Sequence, residues 1–217
     1  MRSTRVAFAL CLLFAATLAA GRSVAEKDLP APTLRVFVVR HAQAWKNVPS
    51  QQRPRRMSDD ELDALTPKGL ARAEALGREL AGRDVVAVYA SPARRAQQTA
   101  EAIARALGLG APIVSESFRT LDTGSDERLA SGSVRMKNWK AGRDPRPEGG
   151  ESLADGYARA ASAVAELATK YPGHAVVVVT HGEIASSLLT RAAGQELLAG
   201  YFTHFPDEGS IHPLLIP

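Results

Sequence analysis

Residues 175–180 read AVVVVT, with four valines in succession. β-Branched side chains favour extended backbone, and successive residues of a strand point to opposite faces. An apolar run without alternation is therefore a strand covered on both sides, as in parallel sheets sandwiched by helices. Val36-Phe37-Val38-Val39 and residues 85–89 (VVAVY) have the same character. Between these runs the apolar positions fall at helical spacing, as at Leu70, Ala73, Leu76 and Leu80. Strands that alternate with helices predict an α/β layer fold with a mostly parallel central sheet flanked by helices.

Punctuation supports this reading. Thr66-Pro67 starts a helix, with Thr66 as N-cap and proline at the first helical position. Ser91-Pro92 is expected to open the next one in the same way, running to about Leu107. Residues 112–114 form a short strand, 151–171 a helix, and 182–193 a helix closed by Gly194. Residues 210–216 are expected at a sheet edge, since Pro213 cannot donate within a central ladder. Residues 42–65 form a long polar loop with a basic cluster, Arg53, Arg55 and Arg56, that could favour a second anionic group on a substrate. Residues 118–150 are rich in Gly, Ser, Asp and Arg and are expected to be loops with a little helix.

The amino terminus differs in kind. Arg2 and Arg5 precede an almost wholly apolar stretch over residues 6–20, and Ser23-Val24-Ala25 offers small residues at a cleavage position. This is the three-part pattern of a secretory signal peptide, and the apolar stretch is shorter than the roughly 20 residues that span a bilayer. The expected organisation is a signal over residues 1–25, a proline-bearing linker over 26–33 and one domain over 34–217. The mature protein is then periplasmic or secreted, with no membrane attachment after cleavage. Three of the 27 basic residues and none of the 23 acidic ones lie in the first 25 positions, so the remainder is nearly neutral. That balance argues against a nucleic-acid partner. The single cysteine, Cys11, leaves with the signal, which excludes disulfides and Cys-based metal sites from the mature chain.

Ligands of such folds bind outside the carboxyl ends of the strands. Those ends carry Arg40-His41, then Ser91 leading into Arg94-Arg95, then Thr180-His181-Gly182. Guanidinium forks suit phosphate oxygens, helix N-termini add donors, and a neutral imidazole can attack phosphorus. Metal ligation by His41 and His181 lacks a third histidine or a carboxylate pair at a neighbouring strand end, while His174, His204 and His212 are expected to be structural. The residue types therefore point to phosphoryl transfer through histidine, with no metal and no cofactor.

Five segments carry a resemblance in order: VVRHAQAWKN, LTPKGLARAEAL, VYASPARRAQQTAEAIA, EGGESL and VVVVTHGEI. Together they resemble the histidine phosphatase superfamily, branch 1, which includes phosphoglycerate mutases. The resemblance implies the three-layer phosphoglycerate mutase-like fold, a small-molecule phosphate ester as substrate and no cofactor. It implies that His41 is the nucleophile that becomes phosphohistidine. Arg40, Arg94 and His181 would grip the phosphoryl oxygens, with Arg94 preferred to its neighbour Arg95 by motif offset. Asn47 and Gly182 would contact substrate. The signature glycine is Ala42 here and its glutamate is Gln43. The family's proton-donating glutamate is replaced by Thr120, which leaves Asp122 as the expected general acid, with Glu116 and Glu183 in reserve. The expected activity is phosphomonoester hydrolysis. The alternatives are a mutase or phosphotransferase, and a phosphate-binding protein without turnover.

Overall fold

The computed structural model describes residues 33–125 and 132–217. The signal over 1–25, and all but Thr33 of the linker, lie outside the described residues. Five strands form one sheet: β1 (Leu34–Arg40), β2 (Val85–Ala90), β3 (Ile113–Val114), β4 (Ala175–Thr180) and β5 (Ile211–Ile216). Their order is β3-β2-β4-β1-β5. β1 pairs parallel with β4, and β4 with β2, and β2 with β3. β5 runs antiparallel to β1 at the edge, where Pro213 lies opposite Phe37. The valine strand β4 is thus central, and all six of its residues are buried.

The helices are α1 (Asp59–Asp63), α2 (Pro67–Glu79), α3 (Arg94–Ala106), α4 (Gly132–Lys140), α5 (Leu153–Lys170), α6 (Gly182–Ala192) and α7 (Leu197–Gly200). Strand alternation divides the core into two layers. Val36, Val38, Val176 and Val178 face Leu153, Val164, Ile184 and Leu188 of α5 and α6. Phe37, Val39, Val177 and Val179 face Leu76 of α2, Leu80 that caps it, and Ala100 and Ile103 of α3. Each fully buried valine contributes on the order of 1.5–3 kcal/mol, so the sheet centre is rigid and its carboxyl ends are fixed in place.

Two details of the helices differ from expectation. The loop over 42–65 contains α1, started by a capping box in which Glu61 N–H donates to Ser58 Oγ and Ser58 N–H donates to Glu61 Oε2 at 2.7 Å. The S-x-x-E pattern at Ser58–Glu61 is the signal for it. α3 starts at Arg94 with Ala93 as N-cap, two residues later than Ser91-Pro92 suggests. The Ser91 hydroxyl is committed elsewhere, to His181. α2 begins as expected, with Thr66 Oγ1 accepting from Gly69 N–H at 2.9 Å. Gly69 is required by close approach, since a Cβ there would lie 2.1 Å from the Gln43 carbonyl oxygen. This contact presses the segment after His41 onto α2.

Candidate active site

The ladder continues one step past each strand. His41 N–H donates to Thr180 O, and Ser91 N–H donates to Val179 O, both at 2.9 Å. His41, Ser91 and His181 are thereby brought together, and all three are buried. The His41 and His181 rings lie edge to face with centroids 5.3 Å apart.

Hydrogen bonding fixes both tautomers. His41 Nδ1 lies 2.8 Å from the Ala42 carbonyl oxygen, which only accepts, so Nδ1 carries the proton. Its Nε2 accepts from Arg95 Nε at 3.0 Å. His181 Nδ1 accepts from Arg95 Nη2 at 2.8 Å, which leaves the proton on Nε2 to donate to Ser91 Oγ at 2.7 Å. One guanidinium therefore holds the lone pairs of both imidazoles. Burial, and next the Arg95 charge, push His41 down to about 3. The same two causes lower His181. Both rings are neutral at physiological pH, the form in which an imidazole is a nucleophile.

Arg95 is held in turn. Its Nη1 pairs with Asp63 at the end of α1, and Lys46 Nζ donates to the same carboxylate oxygen at 2.9 Å. Burial pushes the Asp63 carboxyl up, but Lys46 and Arg95 outweigh it and hold it below the ordinary carboxylate range. Asp63 is thus an anion. Thr99 locks the base of the site, accepting from Ala42 N–H at 3.1 Å and donating to Arg95 O at 2.7 Å.

The expected residues distribute as follows. His41 and His181 meet as anticipated. Arg94 does not join them. It points outward and pairs with Asp60, and Arg95 takes the place foreseen for it. Consecutive helical residues differ by about 100° around the axis, so only one of the pair can face the sheet. Arg40 sits at the end of β1, but its Nη1 donates to Pro206 O at 2.9 Å and its Cζ lies 5.1 Å from the Phe205 ring centroid. Asn47 is exposed, and its Oδ1 accepts from Ala44 N–H at 3.1 Å. Gly182 is buried against Phe205, with 2.4 Å between a would-be Cβ and the ring. Gln43 Oε1 accepts from Thr66 Oγ1 and so joins the loop to α2.

The three expected proton donors are also placed. Asp122 is exposed and its Oδ1 accepts from Gly124 N–H at 2.9 Å, closing its own turn. Glu116 is exposed and pairs with Arg119 at 3.8 Å. Glu183 is in the first turn of α6. Among the described residues, no hydrogen bond joins any of the three to His41, Arg95 or His181. Of the expected basic cluster, Arg53 donates to Val48 O and Lys46 O at 2.6 and 2.8 Å, which makes it a brace of its own loop. Sequence reasoning passed over Ser91, Asp63, Lys46 and Thr99 as site residues. Ser91 and Thr99 were visible in the SPARRAQQTA segment, whereas Asp63 carries no local motif.

Two buried neutral imidazoles bridged by one guanidinium thus stand at the carboxyl ends of the parallel strands β1, β2 and β4. The family model described as the histidine phosphatase superfamily (branch 1) matches residues 36–215, and the chain belongs to that superfamily. It is 31% identical to phosphoglycerate mutase-like protein 4 of Arabidopsis thaliana, over 72% of this chain and 70% of that one. It is 28% identical to the metal-independent phosphoserine phosphatase of the same plant, over 72% and 67%. Mycobacterial glucosyl-3-phosphoglycerate phosphatase, solved in complex with VO3, superposes with a TM-score of 0.64 at 25% identity, covering 84% and 90% of the two chains. The phosphoglycerate mutase-like fold expected for the chain is the one observed.

Proposed function

We propose that the protein is an exported phosphomonoesterase that works through a phosphohistidine on His41. The carrying observation is the Arg95 bridge, which presents His41 Nε2 as a lone-pair donor with its proton held on Nδ1. In the first step His41 Nε2 attacks phosphorus and the ester P–O bond breaks. Arg95 then donates to the phosphoryl oxygens instead of to the two imidazoles; His181 shifts tautomer, so that Ser91 Oγ–H donates to its Nε2 and its Nδ1–H faces the phosphoryl group, and Arg40 adds its charge from the end of β1. The leaving alkoxide takes a proton from Asp122, the exposed carboxyl on the loop that follows the Thr120 position. In the second step water gives a proton to the Asp122 carboxylate as it attacks phosphorus, the P–N bond breaks and inorganic phosphate leaves, restoring neutral His41 and protonated Asp122. Small phosphate esters are the substrates. Phosphatases among the relatives support hydrolysis as the reaction.

Export rests on the amino-terminal pattern alone and places the mature enzyme in the periplasm or outside the cell. Mass measurement of the protein recovered from a cell envelope fraction tests it, with cleavage after Ala25 as the expected result. Among the described residues no helix is long and apolar enough to cross a membrane.

The test of the chemistry is p-nitrophenyl phosphate hydrolysis with EDTA present, beside His41→Ala. Turnover is expected in the natural protein and none above background in the variant. Comparable rates in both would remove His41 from the mechanism.

A further inference from the structure

Two ion pairs join α1 to α3, and they differ in burial. Arg94 and Asp60 form the outer one, with side chains 43% and 73% exposed. Arg95 and Asp63 form the inner one, at 10% and 19%. An exposed pair adds little, and a buried pair is weak evidence for stability because desolvation offsets its attraction. The segment that carries Asp63 is also anchored without it. Trp45 N–H donates to Ala64 O at 3.0 Å, Thr66 N–H to Gln43 O at 2.9 Å, and Leu65 N–H to Gln98 Oε1 of α3 at 2.7 Å. The inner pair therefore calls for a reason other than holding α1 in place.

Its geometry supplies one. A planar guanidinium can hold a phosphate by two parallel N–H groups on either of two edges: the side edge, Nε with Nη2, or the end edge, Nη1 with Nη2. The side edge of Arg95 faces the imidazoles, Nε donating to His41 Nε2 at 3.0 Å and Nη2 standing 2.8 Å from His181 Nδ1. Nη1 donates to Asp63 Oδ1, and Lys46 Nζ donates to the same oxygen at 2.9 Å. Asp63 also lines an open polar cleft of about 580 Å³ with Arg94, Gln97 and Gln98, on the outer face of α3.

Resting on the phosphohistidine reading of the site, we propose that Asp63 is a positioning residue for Arg95. By occupying Nη1 it closes the end edge, and it leaves the side edge, aimed at His41 and His181, as the one place where Arg95 can hold a phosphoryl group by two hydrogen bonds. Without Asp63 an anion can also take the end edge, toward the outer cleft and out of line with His41 Nε2. Asp63 thus decides whether a phosphoryl group is presented to the nucleophile or merely held beside it. It acts through Arg95 and touches no reacting atom.

Orthovanadate and inorganic phosphate separate presenting from holding. Vanadate becomes five-coordinate when an imidazole nitrogen approaches it in line, and so resembles the transition state, whereas phosphate needs only the cations. Binding of each to the full protein is measured by calorimetry at one pH. The natural protein is expected to bind vanadate about 10-fold or more tightly than phosphate. Asp63→Ala is expected to bring that ratio within about twofold while phosphate binds within about threefold of its natural affinity or more tightly, since an anion beside the cations has gone. Asp63→Asn keeps an accepting oxygen at the same reach and should hold the ratio within about threefold of the natural one. Asp60→Ala, the same loss of charge in the outer pair, should change neither affinity. A ratio that survives Asp63→Ala overturns the proposal. So does a phosphate affinity that collapses with the ratio, which would make Asp63 a residue of the fold, and so does an Asp63→Asn ratio as low as that of Asp63→Ala. A natural protein without the vanadate preference overturns it whatever its turnover. Hydrolysis of p-nitrophenyl phosphate is read separately. Its absence from the natural protein, beside a preference that Asp63→Ala abolishes, would sink the phosphatase reading and keep the positioning role. Hydrolysis that His41→Ala abolishes, beside a preference that Asp63→Ala leaves intact, would do the reverse.

Discussion

The carboxyl ends of β1, β2 and β4, and the segment from Glu116 to Glu151, both gather charge, and they arrange it in opposite ways. At the strand ends a single cation is the hub: Arg95 donates to His41, His181 and Asp63. Lys46 and Arg40 stand nearby, so positive charge exceeds negative before any ligand arrives. In the other segment a single anion is the hub. Glu151 accepts from Arg119 Nη1 at 2.5 Å and Nη2 at 3.0 Å, from both Arg159 Nε and Nη2 at 2.9 Å, and from Asp122 N–H at 3.0 Å. Burial pushes the Glu151 carboxyl up, but Arg159, Arg119 and the Asp122 amide bring it down to about 2. This network is closed: its acceptor is saturated, and Glu116 balances the second guanidinium. The first network is poised for an anion, while the second holds a loop in place. The same residue types serve chemistry in one region and architecture in the other.

The largest effect expected after loss of His41 comes from the strand-end hub. Arg95→Ala removes the donor to both imidazoles, and loss of a comparable transition-state donor costs about 3–4 kcal/mol, roughly 10²–10³ in kcat. Arg94→Ala breaks only an exposed pair with Asp60, whose usual worth is about 0–1 kcal/mol of stability, and should leave kcat within about twofold. Kinetics of the two variants side by side break the comparison if they lose activity equally.

Next comes the proton. Asp122→Asn should slow alkyl phosphates by about 10²-fold, the low end for a general acid, and p-nitrophenyl phosphate far less, since its leaving group needs no proton. Equal slowing of the two substrates would return Asp122 to its role as a turn residue beside Glu151. Glu151→Gln addresses the closed network itself. Replacing a charged acceptor of this kind is expected to cost about 2–3 kcal/mol of stability, read as a lowered denaturant midpoint. An unchanged midpoint would mean that α5 and the 116–122 segment are held by apolar packing alone.

The two regions were unequally legible in the sequence. The strands announced themselves, because runs such as Val176–Val179 permit no other placement. His41 and His181 followed, since each immediately ends a buried strand. The choice between Arg94 and Arg95 went the wrong way, although the pattern held the answer. Arg95 lies four residues before Thr99, on the buried stripe with Ala102 and Ile103, whereas Arg94 aligns with Gln97, Gln98 and Glu101. The motif offset favoured one neighbour, and helical phase decides for the other. The start of α3 was misplaced because Ser91 has the right type for an N-cap, and its real partner, His181, is 90 residues away. Glu151 lies just before α5 and Arg159 on its second turn, but Arg119 reaches them only through the tertiary fold, so nothing local declared the network. Asp63 was hidden for the same reason.

The smallest effect separates the two hubs by pH. His41 is neutral in the folded protein and is pushed down to about 3, whereas an unfolded histidine titrates near 6.5. Between those values the unfolded chain binds a proton that the folded chain refuses, so stability rises with pH across about 3–6.5 and is lost on acidification. The Glu151 carboxyl is brought down to about 2 in the folded state; its contribution is intact above about 4.5 and falls away only below that. The imidazole hub therefore governs the window from about pH 6.5 to 4.5, and both hubs act below it. His41→Asn should flatten the stability profile in the upper window by about 1–2 kcal/mol, given a ceiling near 1.4 kcal/mol per pH unit for one site. Glu151→Gln should leave the slope there as it was and flatten the profile only below about pH 4.5. Denaturant titrations at intervals of about half a pH unit read both profiles. An upper-window slope that His41→Asn does not change would mean that His41 is protonated in the folded protein, which removes its lone pair and the proposed first step with it.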